Sequence, residues 1–285
     1  MRVAIGQFAA APEWRANLDS CVDYVDEAER GEADLLVLPE GVLARFAEDD
    51  AEQIREAAQP LDGPFVTALR EHTAGRNVTV VVGVHEPAGH GLVHNTLVVL
   101  RDGAIVTTYR KLHLYDAFGT RESARVQAGS GEPAVFDCAG LRVGLMTCYD
   151  VRFPELARLL ADRGAQLIAL PAAWVRGPGK ERHWEVMVAA RAMENTVYVA
   201  ACGECGPRNI GASMLADPLG TVRARLGGAP GLLWGSADAA ELAAARRQLP
   251  VLANRRFAVD PAVLPAPGAA SVPFSSSGPA ELAGR

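Results

Sequence analysis

The chain has 285 residues, of which 49% are apolar and 22% charged, and its formal net charge is −6. That length can bury a sizeable core, and the acidic balance gives no reason to expect nucleic acid or an anionic membrane as a partner. No apolar run approaches the roughly 18 residues that span a bilayer, and the first residues predict a strand rather than a signal peptide. The five cysteines, an odd number, indicate reduced thiols in the cytoplasm rather than a disulfide framework.

The first half of the chain alternates between short apolar runs and helical periodicity, which is typical of an α/β fold. The runs that predict strands are 2–8, 35–38, 78–85, 95–101 and 104–109. The segments with helical spacing are 18–28, 51–58 and 64–74. The wholly apolar run 35–38 is of the kind that is buried on both faces of a sheet, and Asp102-Gly103 predicts a hairpin between the last two strands.

The second half repeats this alternation after a long segment without periodicity, 117–133, a length of loop that is usually functional. The predicted strands are 134–137, 141–147, 167–171, 197–202, 213–216, 221–226 and 232–237. The predicted helices are 154–163, one with Val186, Ala189, Ala190 and Met193 on one face, and 239–248. Since neither linker nor repeat interrupts this order, we expect one domain over 1–264 and a flexible or partner-contacting tail over 265–285, which is rich in Pro, Ala, Ser and Gly.

Cys148 lies where the buried strand 141–147 ends and the turn into a helix begins. Pro154 suits the first helical position, and Glu155 suits the positive N-terminal end of that helix. A thiol near a helix N-terminus is favoured as the thiolate, the reactive form of cysteine. The alternative is a buried cysteine that acts as a small hydrophobic residue.

Residues with reactive or polarising potential follow three of the apolar strands. They are Glu40, Cys148 and the turn that ends at Trp174. In sheets whose strands run parallel, such ends gather at one edge, where ligands bind. Each residue also has an ordinary interpretation: Glu40 as a surface turn residue, Lys111 as a surface lysine lying along apolar groups, and Glu122 as one charge in a loop.

Three motifs resemble those of the nitrilase, or carbon–nitrogen hydrolase, superfamily: VLPEG at 37–41, YRKLHLYD at 109–116 and CYDVRFPE at 148–155. They occur in the order and spacing usual for that family, and the resemblance extends from Gly6-Gln7 to Arg255-Arg256. It implies a four-layer α-β-β-α sandwich of the nitrilase type, assembled as a homodimer or a higher homo-oligomer. It also implies a small-molecule amide substrate and no metal or organic cofactor.

The same resemblance implies a catalytic triad of Glu40, Lys111 and Cys148, with Glu122 as a second glutamate of the site. Cys148 would attack the amide carbonyl carbon, and Glu40 would take the thiol proton and later activate water. Lys111 and the backbone N–H of Tyr149 would stabilise the oxyanion, while Glu122 would keep Lys111 charged and oriented. Ammonia or an amine would leave, and water would release the acid from a thioester.

The segment 177–201 looks most like the branch of omega-amidases and deaminated-glutathione amidases. Amides of that branch carry a free carboxylate away from the scissile bond, and a buried carboxylate needs a cation. The candidate substrate-binding residues besides Tyr149 are Trp174, Arg121, Arg176, Lys180 and Arg182. We therefore expect at least one of these four cations to contact the distal carboxylate, with a solvated loop charge as the alternative for each.

Other functions are considered on the same residues. A nitrilase or a broad aliphatic or carbamoyl amidase would use the same triad, and an inactive interaction module is disfavoured because all triad positions are filled. His113 suggests a Cys–His pair, which explains the neighbouring Lys111 poorly. Cys202 and Cys205 form a CxxC without a second CxxC or paired histidines, which favours two ordinary cysteines.

Two further patterns have structural explanations. The stretch 177–180 resembles a phosphate loop only superficially, because Glu181 occupies the position that requires Ser or Thr. Asp150, Arg152 and Glu155 lie next to Cys148, and we expect them to brace its turn rather than to touch substrate.

Overall fold

A computed structural model describes residues 1–44 and 51–259 of the chain. In this part the strands are β1 (Arg2–Gln7), β2 (Leu35–Val37), β3 (Thr79–Gly89), β4 (Leu92–Arg101), β5 (Ala104–Arg110), β6 (Val135–Cys138), β7 (Leu141–Leu145), β8 (Leu167–Ala172), β9 (Tyr198–Gly203), β10 (Met214–Ala216), β11 (Val222–Arg225) and β12 (Gly231–Ser236). The helices are α1 (Trp14–Arg30), α2 (Ala51–Ala57), α3 (Pro64–His72), α4 (Pro154–Asp162), α5 (Lys180–Asn195), α6 (Ala239–Gln248) and α7 (Val251–Asn254). The predicted boundary at 264 and the predicted tail lie outside the described residues.

The strands form two six-stranded sheets with mixed directions, as the predicted sandwich requires. One sheet has the order β12-β1-β2-β3-β4-β5, and the other has the order β11-β10-β9-β8-β7-β6. The centre of the first is parallel from β1 through β3, and the centre of the second is parallel from β7 through β9. Each sheet therefore gathers the carboxyl ends of central strands at one edge, where ligands bind in such folds.

The strand β2 explains why the layers number four. Leu35 and Val37 belong to the core between the sheets, whereas Leu36 and Leu38 belong to the core under α1 and α3. All four side chains are fully buried, because successive side chains of a strand point to opposite faces and both faces are covered here. The apolar run without alternation was the correct signal for this burial.

Some predicted boundaries differ from the structure because the periodic signal fades at turns. The strand β3 extends to Gly89 and β4 begins at Leu92, so these two strands approach each other more closely along the chain than predicted and pair as a hairpin. A short 3₁₀ turn at Glu122–Ala124 lies in the predicted loop. On α5, the apolar face that includes Val186 and Met193 is about half exposed, and the buried face is the opposite one. Among the described residues, no helix has the length and apolar character needed to cross a membrane.

Candidate active site

Glu40 lies three residues beyond β2, at the edge where the parallel strands end, and is 4% exposed. Its Oε2 accepts a hydrogen bond from the backbone N–H of Ala173 at 2.7 Å. Its Oε1 accepts from Asn95 Nδ2 at 2.7 Å and from Lys111 Nζ at 3.0 Å. The carboxylate is thus fixed by donors from both sheets, since Ala173 follows β8 and Asn95 lies on β4.

A close backbone approach places Glu40 against its neighbouring strand β3. A Cβ atom at Gly83 would come within 2.7 Å of Glu40 Cα and 2.8 Å of Gly41 N. Two backbone hydrogen bonds hold this segment against Gly83. The Gly83 N–H donates to Pro39 O, and the Val42 N–H donates to Gly83 O. Only glycine fits at position 83 without moving the backbone that carries Glu40.

Lys111 is 2% exposed and lies between two carboxylates. Its Nζ donates to Glu40 Oε1 at 3.0 Å and to both oxygens of Glu122, at 3.1 and 2.9 Å. Burial opposes the charged form, but the charges of Glu122 and Glu40 outweigh it and hold the pKa of Lys111 well above its ordinary value. The backbone N–H of Tyr115 donates to Glu122 Oε2 at 2.6 Å, which fixes the second carboxylate.

Cys148 begins a 3₁₀ turn after β7 with φ of 45°, a left-handed conformation that non-glycine residues rarely adopt. The turn is held by Asp150, whose Oδ2 accepts from the backbone N–H of Thr147 at 2.9 Å and from Tyr109 Oη at 2.7 Å. Nucleophiles of acyl-transfer enzymes are often presented on strained strand-to-helix turns of this kind. The bracing role predicted for Asp150 agrees with these contacts.

The expectation that the helix N-terminus favours the Cys148 thiolate is wrong. Burial raises the pKa of the thiol well above its ordinary value, and the charge of Glu40 adds to that effect more than Lys111 offsets it. The turn Cys148–Arg152 separates the thiol from the first residue of α4, so five residues intervene before the helix dipole begins. The resting thiol therefore keeps its proton, and a base is needed to remove it.

One open cavity of about 780 Å³, which includes the solvent at its mouth, connects these groups. Its lining residues include the four acidic, basic and thiol groups of the predicted site together with Trp174, Lys180 and polar side chains that the sequence analysis did not select. The cavity is lined in part by Glu40, Lys111, Glu122, Cys148, Trp174, Lys180, His85, Asn95, Tyr115, Arg125, Arg208 and Asn209.

The polar residues missed by the sequence analysis had one local signal. Asn95 and His85 are paired in the largely apolar strands β3 and β4, and a polar side chain in a buried strand requires an explanation. Asn95 is 3% exposed and its amide reaches Glu40. Arg125 and Arg208 come from loops without periodicity, where the sequence offers no comparable signal.

A second wall of the cavity is built around Lys180, the first residue of α5. Its Nζ donates to Tyr115 Oη at 2.7 Å and lies 4.8, 4.5 and 5.1 Å from the ring centroids of Tyr115, Phe118 and Trp174. Burial lowers the pKa of Lys180, and the charge of Arg152 lowers it further. The Trp174 indole N–H donates to the Lys180 carbonyl at 3.0 Å and so fixes the start of the helix.

Three predicted substrate-binding cations lie away from this cavity. Arg121, Arg176 and Arg182 are exposed, and none of them is among the lining residues. Arg176 instead donates to Gly206 O at 3.4 Å. Arg182 follows Lys180 by two residues, about 200° around a helix, so it points away when Lys180 faces the cavity.

Tyr149 follows Cys148 in the 3₁₀ turn and is not among the residues that line the cavity. Its ring packs edge-on against Tyr115 and Phe153, with centroids 5.1 and 5.3 Å apart. Its backbone follows Cys148 directly, as the predicted oxyanion donor must.

The alternative patterns have structural roles. His113 Nδ1 lies 2.7 Å from Asp150 Oδ1, and its ring stacks on Phe153 at 3.7 Å, outside the lining of the cavity. Cys202 and Cys205 are buried free thiols. Within residues 1–44 and 51–259, no cluster of three or more His, Cys, Asp or Glu side chains is arranged to hold a metal ion.

Comparison with known proteins identifies relatives that align with most of this chain. The carbon-nitrogen hydrolase family profile matches residues 2–247. The chain is 45% identical over 258 residues to a deaminated glutathione amidase of Escherichia coli O157:H7, covering 90% of this chain and 98% of that relative. It is also 35% identical to the human deaminated glutathione amidase, covering 89% of this chain and 82% of that relative.

Solved structures show the same architecture. An amidase from Nesterenkonia sp. AN1 is 30% identical, with a TM-score of 0.73 over 90% of this chain and 96% of that one. A Saccharomyces cerevisiae member of branch 10 of the nitrilase superfamily is 25% identical, with a TM-score of 0.80 over 90% and 97% of the two chains. In a variant of the Nesterenkonia amidase, the acetamide moiety of fluoroacetamide is attached covalently to the active-site cysteine.

Proposed function

Because this chain belongs to the carbon–nitrogen hydrolase family and is an amidase, we propose that it hydrolyses a small amide bearing a free carboxylate through a thioester on Cys148. The observation that carries the proposal is the buried Glu40–Lys111–Glu122 ion network, which shares one cavity with the Cys148 thiol. Burying two carboxylates and an ammonium is costly, so such a network indicates a function. It brings a base and a cation into the same cavity as the nucleophile.

Acylation follows from the raised pKa of the thiol. Glu40 is the carboxylate whose charge raises the pKa of the Cys148 thiol most strongly, so we assign the thiol proton to that carboxylate as the sulfur attacks the carbonyl carbon. The oxyanion that forms is stabilised by Lys111 Nζ and by the backbone N–H of Tyr149; loss of one such donor costs about 10²–10³-fold in other acyl-transfer enzymes. Glu40 then returns the proton to the leaving nitrogen, and ammonia or an amine departs.

Deacylation uses the same groups in reverse order. Glu40 removes a proton from water, and the resulting nucleophile attacks the thioester carbonyl. The second oxyanion is stabilised by the same donors, and its collapse breaks the C–S bond. The acid leaves, and the proton on Glu40 returns to the Cys148 sulfur. Glu122 contacts Lys111 rather than the reacting atoms, so it acts as a positioning residue.

The substrate class is suggested by similarity and by charge. Over 258 aligned residues the chain is 45% identical to a bacterial deaminated glutathione amidase, and a cavity cation, Lys180, is available to an anionic substrate. We therefore favour an amide of the omega-amidase or deaminated-glutathione amidase type over an uncharged aliphatic amide.

A homodimer in the cytoplasm completes the proposal. Val186 and Met193 on α5 and Leu219 beyond it are 45%, 48% and 41% exposed, and a second copy of the chain would cover this apolar stripe. A Met193→Glu variant should then sediment as a monomer where the wild type sediments as a dimer. An unchanged sedimentation coefficient would remove this face from the interface.

The free state of all five cysteines accords with a reducing compartment.

The proposed function is tested by ammonia release from a panel of carboxylate-bearing amides, uncharged amides, carbamoyl compounds and nitriles. We expect the carboxylate-bearing amides to be hydrolysed with the highest kcat/KM, and Cys148→Ala to abolish that activity. Release of acid and ammonia from nitriles but not from amides would select nitrile hydrolysis with the same residues. Equal rates on charged and uncharged amides would indicate a broad aliphatic amidase.

A further inference from the structure

Lysine is rare in this chain and confined to one place. Of the 28 cationic residues, 26 are arginines, and the two lysines are Lys111 and Lys180. Both line the same cavity and both are buried. The reaction described above uses Lys111 and leaves Lys180 without a role.

In the part of the chain that the structure describes, no carboxylate pairs with Lys180 as Glu40 and Glu122 pair with Lys111. Within the described ranges its Nζ forms one side-chain hydrogen bond, to the neutral Tyr115 hydroxyl, and lies over three aromatic rings. Such rings attract a cation only modestly and do not satisfy all three donors of an ammonium group. A buried cation of this kind is favourable when an anion completes its coordination.

A second cation, Arg152, lies over the same Trp174 ring as Lys180. The Arg152 guanidinium lies over the Trp174 ring at 4.9 Å, and its Nε and Nη2 are buried without a hydrogen-bond partner in the described part of the chain. Its charge lowers the pKa of Lys180, so the two cations are electrostatically coupled. Two neighbouring positive charges, neither paired with a carboxylate of residues 1–44 or 51–259, create a positive potential on this side of the cavity.

We propose that Lys180 is the specificity-determining residue that binds the distal carboxylate of the substrate, opposite the reacting amide. This inference rests on the proposed function and names the residue that selects the substrate class. A compact ammonium suits the position because its point charge reaches a carboxylate while Nζ lies 4.5 to 5.1 Å from three ring centroids, whereas arginine presents a larger planar fork. The aromatic rings hold the ammonium in place, and the Tyr115 hydroxyl orients it.

The test compares the monoamide of a dicarboxylic acid with its methyl ester, which keeps the same acyl chain but carries an added methyl group and no distal charge. Wild-type protein should hydrolyse the free acid with the higher kcat/KM. Lys180→Met keeps the length and apolar stem but removes the charge, so it should lower kcat/KM on the free acid about 10- to 100-fold, mainly through KM, the range expected for a charge-assisted hydrogen bond. Its kcat/KM on the ester should fall far less, and Lys180→Arg should retain part of the preference for the free acid.

Arg182→Met is the matched control, because it removes one positive charge from the same helix at an exposed position outside the cavity. It should leave the ratio of free acid to ester at the wild-type value. A general effect of net charge on substrate attraction would lower the ratio in both variants. That result would overturn the assignment of the carboxylate to Lys180.

A binding measurement separates this inference from the proposed function. Calorimetric titration of Cys148→Ala with the free acid, with and without Lys180→Met, reports recognition without chemistry. Weaker binding of the free acid alone supports the inference even if the wild type fails to hydrolyse this particular amide. Equal losses for acid and ester, or no change in either, overturn it while leaving the amidase reaction intact.

Discussion

The two walls of the cavity shift the pKa of a buried lysine in opposite directions. On one wall Lys111 lies between Glu40 and Glu122, and its pKa is raised. On the other wall Lys180 lies among aromatic rings, and its pKa is lowered. On the first wall the charge of Lys111 is balanced by Glu40 and Glu122, so these groups can act on any amide. The second lacks a paired carboxylate among the described residues, so its counter-charge has to come from elsewhere, and a carboxylate-bearing substrate supplies one.

The largest expected effect comes from removing the charge from each lysine in turn. Lys111→Met leaves two buried carboxylates without their cation, so we expect a loss of about 3–5 kcal/mol in the free energy of unfolding. Turnover should fall by about 10²–10³-fold through the lost oxyanion donor. Lys180→Met strands no carboxylate and should change stability little. Urea unfolding of both variants measures the difference, and equal destabilisation would contradict the distinction between the walls.

The next effect separates the proposed base from the histidine alternative. Glu40→Gln keeps the size and the hydrogen-bonding capacity of the side chain but removes the base, so turnover should fall by at least about 10²-fold. His113→Asn is the comparison, since His113 contacts Asp150 and lies outside the cavity lining. Its effect on kcat should be milder. Steady-state rates of folded variants decide between them, and the Cys–His scheme gains support if His113→Asn alone stops acylation.

A smaller loss of kcat is expected when Glu40 is displaced but not replaced. The added methyl group of Gly83→Ala meets backbone atoms at Glu40 and Gly41, and a shift of about 1 Å at a catalytic group can cost up to 10²-fold. We expect kcat to fall by about 10-fold or more. Gly235→Ala is the matched control, because its methyl group meets the Leu215 side chain instead. Both variants can lose stability, but only Gly83→Ala should lower kcat in the folded state.

The sequence predicted the first wall better than the second, for a physical reason. Glu40, Lys111 and Cys148 follow or leave strands whose apolar runs are local signals, and their motifs identify the family. The direction of Lys180 depends on the rotation at which α5 begins, which is set by the left-handed conformation of Gly179 and by the bond from Trp174 to the Lys180 carbonyl. Neither is visible in a periodicity, so exposed Arg182 and buried Lys180 appeared equivalent.

The state of the nucleophile was also beyond the sequence. The strand-to-helix pattern indicated a thiolate, whereas burial and Glu40 together raise the pKa of Cys148. These contributions come from groups more than a hundred residues away, as Glu40 illustrates, and no local pattern reports them. Proximity to a helix N-terminus along the chain was therefore a poor guide to charge.

The smallest expected effect is a shift in a pH profile. Because the folded-state pKa of Cys148 is raised, its thiolate fraction at neutral pH is lower than that of a free thiol, so the iodoacetamide reaction should accelerate as pH rises through the alkaline range. Cys148 should still react first, since it lines the cavity and the other four thiols are buried elsewhere. Peptide mass spectrometry across pH measures the profile. A rate that is already maximal at neutral pH would contradict the protonated resting state.

The most direct test of the central claim is to detect the acyl-enzyme. Wild-type protein is mixed with an amide that it hydrolyses, quenched in acid during turnover, digested and analysed by mass spectrometry. The account predicts that the peptide containing Cys148 gains the mass of the acyl group, that hydroxylamine removes it as the hydroxamate, and that Cys148→Ala shows neither adduct nor turnover. An adduct on another residue, or hydrolysis at the wild-type rate by Cys148→Ala, would contradict it.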